Sequence, residues 1–203
     1  MTQETVIMTE KERVHALLRR EKPDRTPIYP MCGGFAMVYA QCSIADAYNK
    51  PEVSLAGLGK TTRDFGWIYA PAIGYACYGG WEFGGEIKWP YGEFDQAPTL
   101  TRHPVSTEED VWNLEVPDVE TAGIVPLMVE CNKLAMQDTS DNKPFRVVAL
   151  IQGPFDTACN ISAPEKLLKW ILKRPDAAHR LIRLATDHLI DLARYQANTF
   201  GTE

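Results

Sequence analysis

The sequence predicts an α/β fold built on a parallel sheet, and three observations lead there. Val147-Val148-Ala149-Leu150-Ile151 is apolar and rich in β-branched residues, with no polar alternation. That pattern fits a strand buried on both faces. The run stops at Gly153-Pro154, and helical sequence follows from Ser162-Ala163-Pro164-Glu165. Two more short apolar runs, at 28–32 and 66–70, are separated by helical patterns, the alternation expected of an α/β protein. In α/β barrels ligands bind at the C-terminal ends of the strands. The side of Gly33, Gln152, Gly153 and Asp156 is therefore the expected ligand side.

Taken in order, Thr9-Glu10-Lys11-Glu12 reads as a capping box that starts a helix with Val14, Leu17 and Leu18 on one face. Asp24-Arg25-Thr26-Pro27 is a turn, and residues 28–34 form a first strand ending in the Gly33-Gly34 pair. Ser43 caps a short helix. Pro51 begins another that runs to about Phe65, and residues 66–70 form a second strand. Residues 74–100 interleave six glycines with Tyr75, Tyr78, Trp81, Phe83, Trp89, Tyr91 and Phe94. They are expected to form an inserted loop or hairpin, a length of connection that is usually functional. Ser106-Thr107-Glu108-Glu109-Asp110 starts a short helix, and a longer one is expected over 119–137. After a polar loop and the strand at 147–151, Ser162 and Glu165 form a second capping box, with a helix to Arg174. Pro175 opens the last helix, to about Phe200.

The chain has 203 residues, 45% of them hydrophobic and 24% charged, an ordinary globular composition. One domain over 1–203 is expected. Twenty-one basic residues against 27 acidic ones give a net charge of -6 with no basic block, so nucleic acid is not an expected partner. No stretch approaches the ~20 apolar residues of a membrane span. The five cysteines form no CxxC pair, which argues against a zinc ribbon or a redox dithiol and suits a reducing cytoplasm.

With the elements placed, the sequence resembles the uroporphyrinogen decarboxylase superfamily. The resemblance rests on Thr9-Glu10-Lys11-Glu12-Arg13-Val14, Leu17-Leu18-Arg19-Arg20 and Pro23-Asp24-Arg25-Thr26-Pro27. It continues in Asn113-Leu114-Glu115-Val116-Pro117-Asp118, Gly153-Pro154-Phe155, Pro164-Glu165-Lys166-Leu167-Leu168 and Pro175-Asp176-Ala177-Ala178-His179-Arg180-Leu181. It implies a (β/α)₈ barrel, of which about three strands here would be the N-terminal part. Such a barrel typically needs ~250 residues. An incomplete barrel exposes strand edges and apolar surface, so self-association or a missing C-terminal part is expected.

The superfamily holds decarboxylases and cobalamin-dependent methyltransferases. The decarboxylases follow their first strand with an arginine-rich segment that binds substrate carboxylates. Here that place reads Pro30-Met31-Cys32-Gly33-Gly34-Phe35, with no arginine. They carry Ser-Asp-Ile after the second strand, where this chain has Tyr69-Ala70-Pro71-Ala72-Ile73. The methyltransferase branch lacks both features and fits better. It implies a methylcobalamin presented by a partner corrinoid protein, a small-molecule methyl donor or acceptor, and zinc. The zinc ligands of that branch, a His-x-Cys and a later Cys, match nothing in residues 1–203. Two alternatives stay open: a decarboxylase acting on a carboxylated ligand such as a tetrapyrrole, and a non-catalytic fragment that associates to complete its sheet.

Cys32, Gly33, Gln152 and Asp156 are the candidates for the barrel mouth. Cys32 is either a thiolate facing the mouth or a small buried hydrophobe, and Asp156 either a mouth residue or a helix cap. Glu82, Glu86 and His103 are weak metal candidates, with ligand types that suit zinc but a spacing that matches no local motif. Cys77 could add to them. His188, on the apolar stripe of the last helix, reads as a packing histidine.

Overall fold

The computed structural model describes residues 7–92, 95–138 and 152–201. The strand expected at 147–151 and the polar loop at 139–143 lie outside them. The described residues divide into two compact units, one holding 1–71 and 131–147, the other 72–130 and 148–203.

The first unit begins with α1 (Glu10–Leu18), started by the predicted capping box: Thr9 accepts from the Glu12 amide, and the Glu12 carboxylate accepts from the Thr9 amide. Arg13 explains much of the N-terminal motif. It is buried, and its guanidinium grips Asp24 in a two-pronged pair, Nε to Oδ1 at 2.6 Å and Nη2 to Oδ2 at 2.8 Å. Arg25 reaches Glu10 and donates to the Gly66 carbonyl at 2.7 Å. These residues tie the helix to the turn and are structural.

α2 (Gly33–Ala40) was not predicted. Its sequence, GGFAMVYA, has no polar residue, so no amphipathic period marks it as a helix. α3 (Ile44–Asn49) is capped by Ser43 as expected, and α4 (Pro51–Phe65) matches its predicted bounds. Met37 and Ala36 of α2 pack with Ala47, Val53 and Leu58.

Residues 28–32 and 66–70 are not laddered strands. They are extended and lie side by side, with the Ile68 amide donating to the Ile28 carbonyl at 2.8 Å and Tyr29 Oη to the Ala70 carbonyl at 3.3 Å. Pro27 and Pro30 have no amide hydrogen, which limits what the first segment can contribute to a ladder.

The second unit contains the aromatic insertion. The expected hairpin is present as β1 (Glu86–Lys88) and β2 (Thr99–Arg102), antiparallel, with Ile87 opposite Leu100. α5 (Glu108–Asn113) is started by a capping box of Thr107 and Asp110. α6 (Val125–Gln137) starts in this unit and ends in the other. It is shorter than the helix expected over 119–137, because turns through Gly123, at φ +48°, precede it.

α7 (Pro154–Ser162) was also missed, although Pro154 occupies a first-turn position that favours proline. It displaces the second predicted capping box. Ser162 ends α7 and donates to the Ala158 carbonyl, so Ala163 precedes α8 (Pro164–Lys173). α9 (Pro175–Phe200) closes the unit. Its buried stripe of Leu181, Leu184 and Ala185 packs with Ile161, Leu167 and Val105. Among the described residues no helix is long and apolar enough to cross a membrane.

Candidate functional site

The sequence placed one ligand-side residue, Gln152, just after a strand, and the structure shows what it meets. Its Nε2 donates to the carbonyls of Tyr75 at 3.2 Å and Ala76 at 3.3 Å. Residues 75–76 follow the extended segment 66–70, so Gln152 joins two chain stretches far apart in sequence. Asn160, one turn from the end of α7, donates from Nδ2 to the carbonyls of Ala76 at 2.8 Å and Tyr78 at 2.9 Å. Segment 75–83 is therefore held along α7 by two side-chain amides.

A buried carboxylate holds the same segment from inside. Glu82 Oε1 accepts from Tyr75 Oη at 2.6 Å and from the Ile124 amide at 3.2 Å, while Oε2 accepts from the Gly79 amide at 2.6 Å. Burial pushes the Glu82 carboxyl upward, and these three donors pull against it. Gly79 sits at φ +99°, and a Cβ there would stand 2.6 Å from Thr157 Cγ2, so glycine alone fits.

A third hold comes from α9. Tyr78 Oη and His188 Nε2 are 2.8 Å apart, and the His188 ring meets Phe83 edge-on at 5.2 Å. Burial holds the His188 imidazole down at about 4, so it is neutral at pH 7. Burial also raises the Tyr75 and Tyr78 hydroxyls, and lifts the Cys77 thiol to about 11. At neutral pH these groups hold shape rather than exchange protons. In segment 75–83 Ala76 is exposed and Cys77 and Trp81 are partly exposed.

The other candidates have separate places. Asp156 is exposed in the first turn of α7. Cys32 and Gly33 belong to the other unit, Cys32 as the residue before α2, its thiol raised by burial. Glu86 is exposed on β1 and pairs with Arg102 at 2.9 Å. His103 Nδ1 lies 2.7 Å from the Asn160 carbonyl, to which it donates. Glu82, Glu86 and His103 thus each have their own partners. Among the described residues no three His, Cys, Asp or Glu side chains could hold a metal ion. The zinc implied by the resemblance has no fitting ligand set there.

Sequence reading missed Asn160, whose partners lie 84 and 82 residues away. The only signal for it was a polar residue next to the buried Ile161 on α7.

The family model described as uroporphyrinogen decarboxylase (URO-D) matches residues 9–201, nearly the whole chain. The chain belongs to the URO-D family. No curated protein is similar enough in sequence to count as a match. Among solved structures, a methyltransferase from Methanosarcina mazei aligns with a TM-score of 0.73 at 21% identity, over 95% of this chain and 57% of that one. The URO-D chain therefore spans little more than half the length of that neighbour, and the likeness shows the fold, part of an α/β barrel. In such a barrel the residues that follow the strands line the mouth.

Proposed function

We propose that the chain is part of a methyltransferase that moves a methyl group to or from a cobalamin carried by a partner corrinoid protein. The observation that carries this reading is the chemistry of the segment that leads into and through α2. Residues 28–41 contain no charged side chain, and Met31 and Val38 are 88% and 62% exposed. A polycarboxylate such as a tetrapyrrole needs guanidinium partners, and this surface offers none. It suits an uncharged ligand or an apolar partner surface. The similarity to a methyltransferase supports the same branch.

In this reading the side chains of the chain bind and orient. Gln152 and Asn160 fix the backbone of 75–78 beside the methyl acceptor. Positioning of this kind is a large share of what a group-transfer enzyme supplies.

The test is to incubate the protein with methylcobalamin and a panel of thiols, following demethylation by absorbance. A parallel sample receives uroporphyrinogen. Thiol-dependent demethylation with no decarboxylation is expected. Decarboxylation of the tetrapyrrole, with methylcobalamin untouched, would overturn the proposal.

A further inference from the structure

Among the described residues α9 buries two polar side chains completely, His188 and Gln196, and of the two only His188 has a side-chain hydrogen bond. It is fully buried on a stripe that Leu181, Ala185, Leu189 and Leu192 carry with Gln196. Its Nδ1 has no hydrogen-bond partner among the described residues. An aliphatic side chain would fill the place without burying a polar ring, and a buried unpaired polar atom is unfavourable. What offsets that cost is the single contact of Nε2 with Tyr78 Oη at 2.8 Å. Among the described residues, His188 Nε2 is the one hydrogen-bond partner of that hydroxyl. Either the Tyr78 O–H donates to Nε2 and the ring proton sits on Nδ1, or Nε2–H donates to Tyr78 Oη; both tie the two side chains by one hydrogen bond.

The position of Tyr78 matters because of what surrounds it. Its carbonyl is held by Asn160, the following amide by Glu82, and the stretch before it by Gln152. Those three act on the backbone or on its turn. His188 acts on a side chain, and does so from a different helix. The Tyr78 and His188 rings also stack at 5.8 Å, so ring and hydrogen bond fix one rotamer together.

We propose that His188 is a positioning residue of the site proposed above, acting through Tyr78 to hold segment 75–83 against Gln152 and α7. It rests on the proposed reaction only for the catalytic readout described below. Neither family membership nor the sequence reading assigns this role, since His188 was read there as packing alone.

The experiment compares the whole protein with His188→Phe, His188→Gln and Tyr78→Phe by hydrogen–deuterium exchange resolved to peptides. Nitrogen-15 imidazole spectra of the wild type accompany it. The expected spectrum is a neutral ring with Nε2 hydrogen-bonded. The expected exchange result is at least a tenfold rise over 76–83 in H188F and Y78F, with α8 and α9 unchanged. H188Q, which keeps an acceptor, returns toward wild type. Where thiol-dependent methyl transfer is measured, kcat falls about tenfold in H188F and recovers in H188Q.

A folded H188F with wild-type exchange over 76–83 overturns the proposal. So does a uniform rise across α7 to α9, or an H188Q that behaves like H188F, since either would reduce His188 to packing. If H188F does not fold, Y78F decides by the same criteria. A wild type without methyl transfer counts against the proposed reaction, and the exchange data still decide the role of His188.

Discussion

Glu82 shows how one buried side chain can organise a loop. It is 4% exposed, and all three of its partners donate to it, so both carboxylate oxygens are needed as acceptors. Glu82→Gln sets an NH₂ group against one of those donors. It is expected to cost about 1–3 kcal/mol of stability, the usual penalty for a buried polar group left facing the wrong partner. Urea denaturation at pH 7 measures it. His188 gives the protein an acid sensitivity of known sign. Its folded value of about 4 lies below the ordinary 6.5, so the unfolded chain binds the proton more readily. The stability this contributes is complete above pH 6.5 and is lost as pH falls toward 4. Melting temperatures taken at pH 7, 6 and 5 should fall in the wild type more steeply than in His188→Gln. Equal slopes would mean that His188 does not titrate in this range.

At the scale of elements, helix starts were legible wherever a residue type has one clear use. Thr9 with Glu12, Ser43, Pro51 and Pro175 each mark a helix at the expected place. The second capping box failed because Ser162 had a better use. As the last residue of α7 its hydroxyl turns back to Ala158, and the chain reverses at Ala163 instead. Ala163 sits at φ +75°, ψ 139°, a strained place for any residue with a Cβ. Ala163→Gly is expected to stabilise the protein by about 1 kcal/mol, glycine's greater chain entropy taking back part of the relief. A lower melting temperature would refute this. Gly123 is the opposite case. It lies at φ +48°, and a Cβ there would collide with the Glu82 carboxylate. Gly123→Ala should therefore destabilise by about 2 kcal/mol or more, and should lose part of that penalty in a Glu82→Ala background. Additive effects would place the strain elsewhere.

For the molecule as a whole, the fold class was readable because apolar runs and helical stretches alternate, and that signal is spread along the chain. The site was only half readable. Gln152 was singled out because the sequence expects a strand just before it, and the structure gives it the Tyr75 and Ala76 carbonyls as partners. Tyr75, Asn160 and Ile124 could not be assembled with it, because no local pattern pairs residue 76 with residue 160. The surface is the remaining whole-molecule property with a consequence. In the first unit Ile28, Tyr29, Met31, Phe35 and Val38 are all close to half exposed or more, within eleven positions of the chain. So many exposed large apolar side chains in one short stretch favour association. Sedimentation velocity from low to high micromolar concentration should show weak, concentration-dependent association. Met31→Glu with Val38→Glu adds two charges to that surface without touching Met37 and Ala36, which carry the packing of α2. The double variant should sediment as a monomer over the same range with an unchanged melting temperature. A variant that associates as strongly as the wild type would move the contact to another face. A wild type that is monomeric throughout would show that water tolerates this surface.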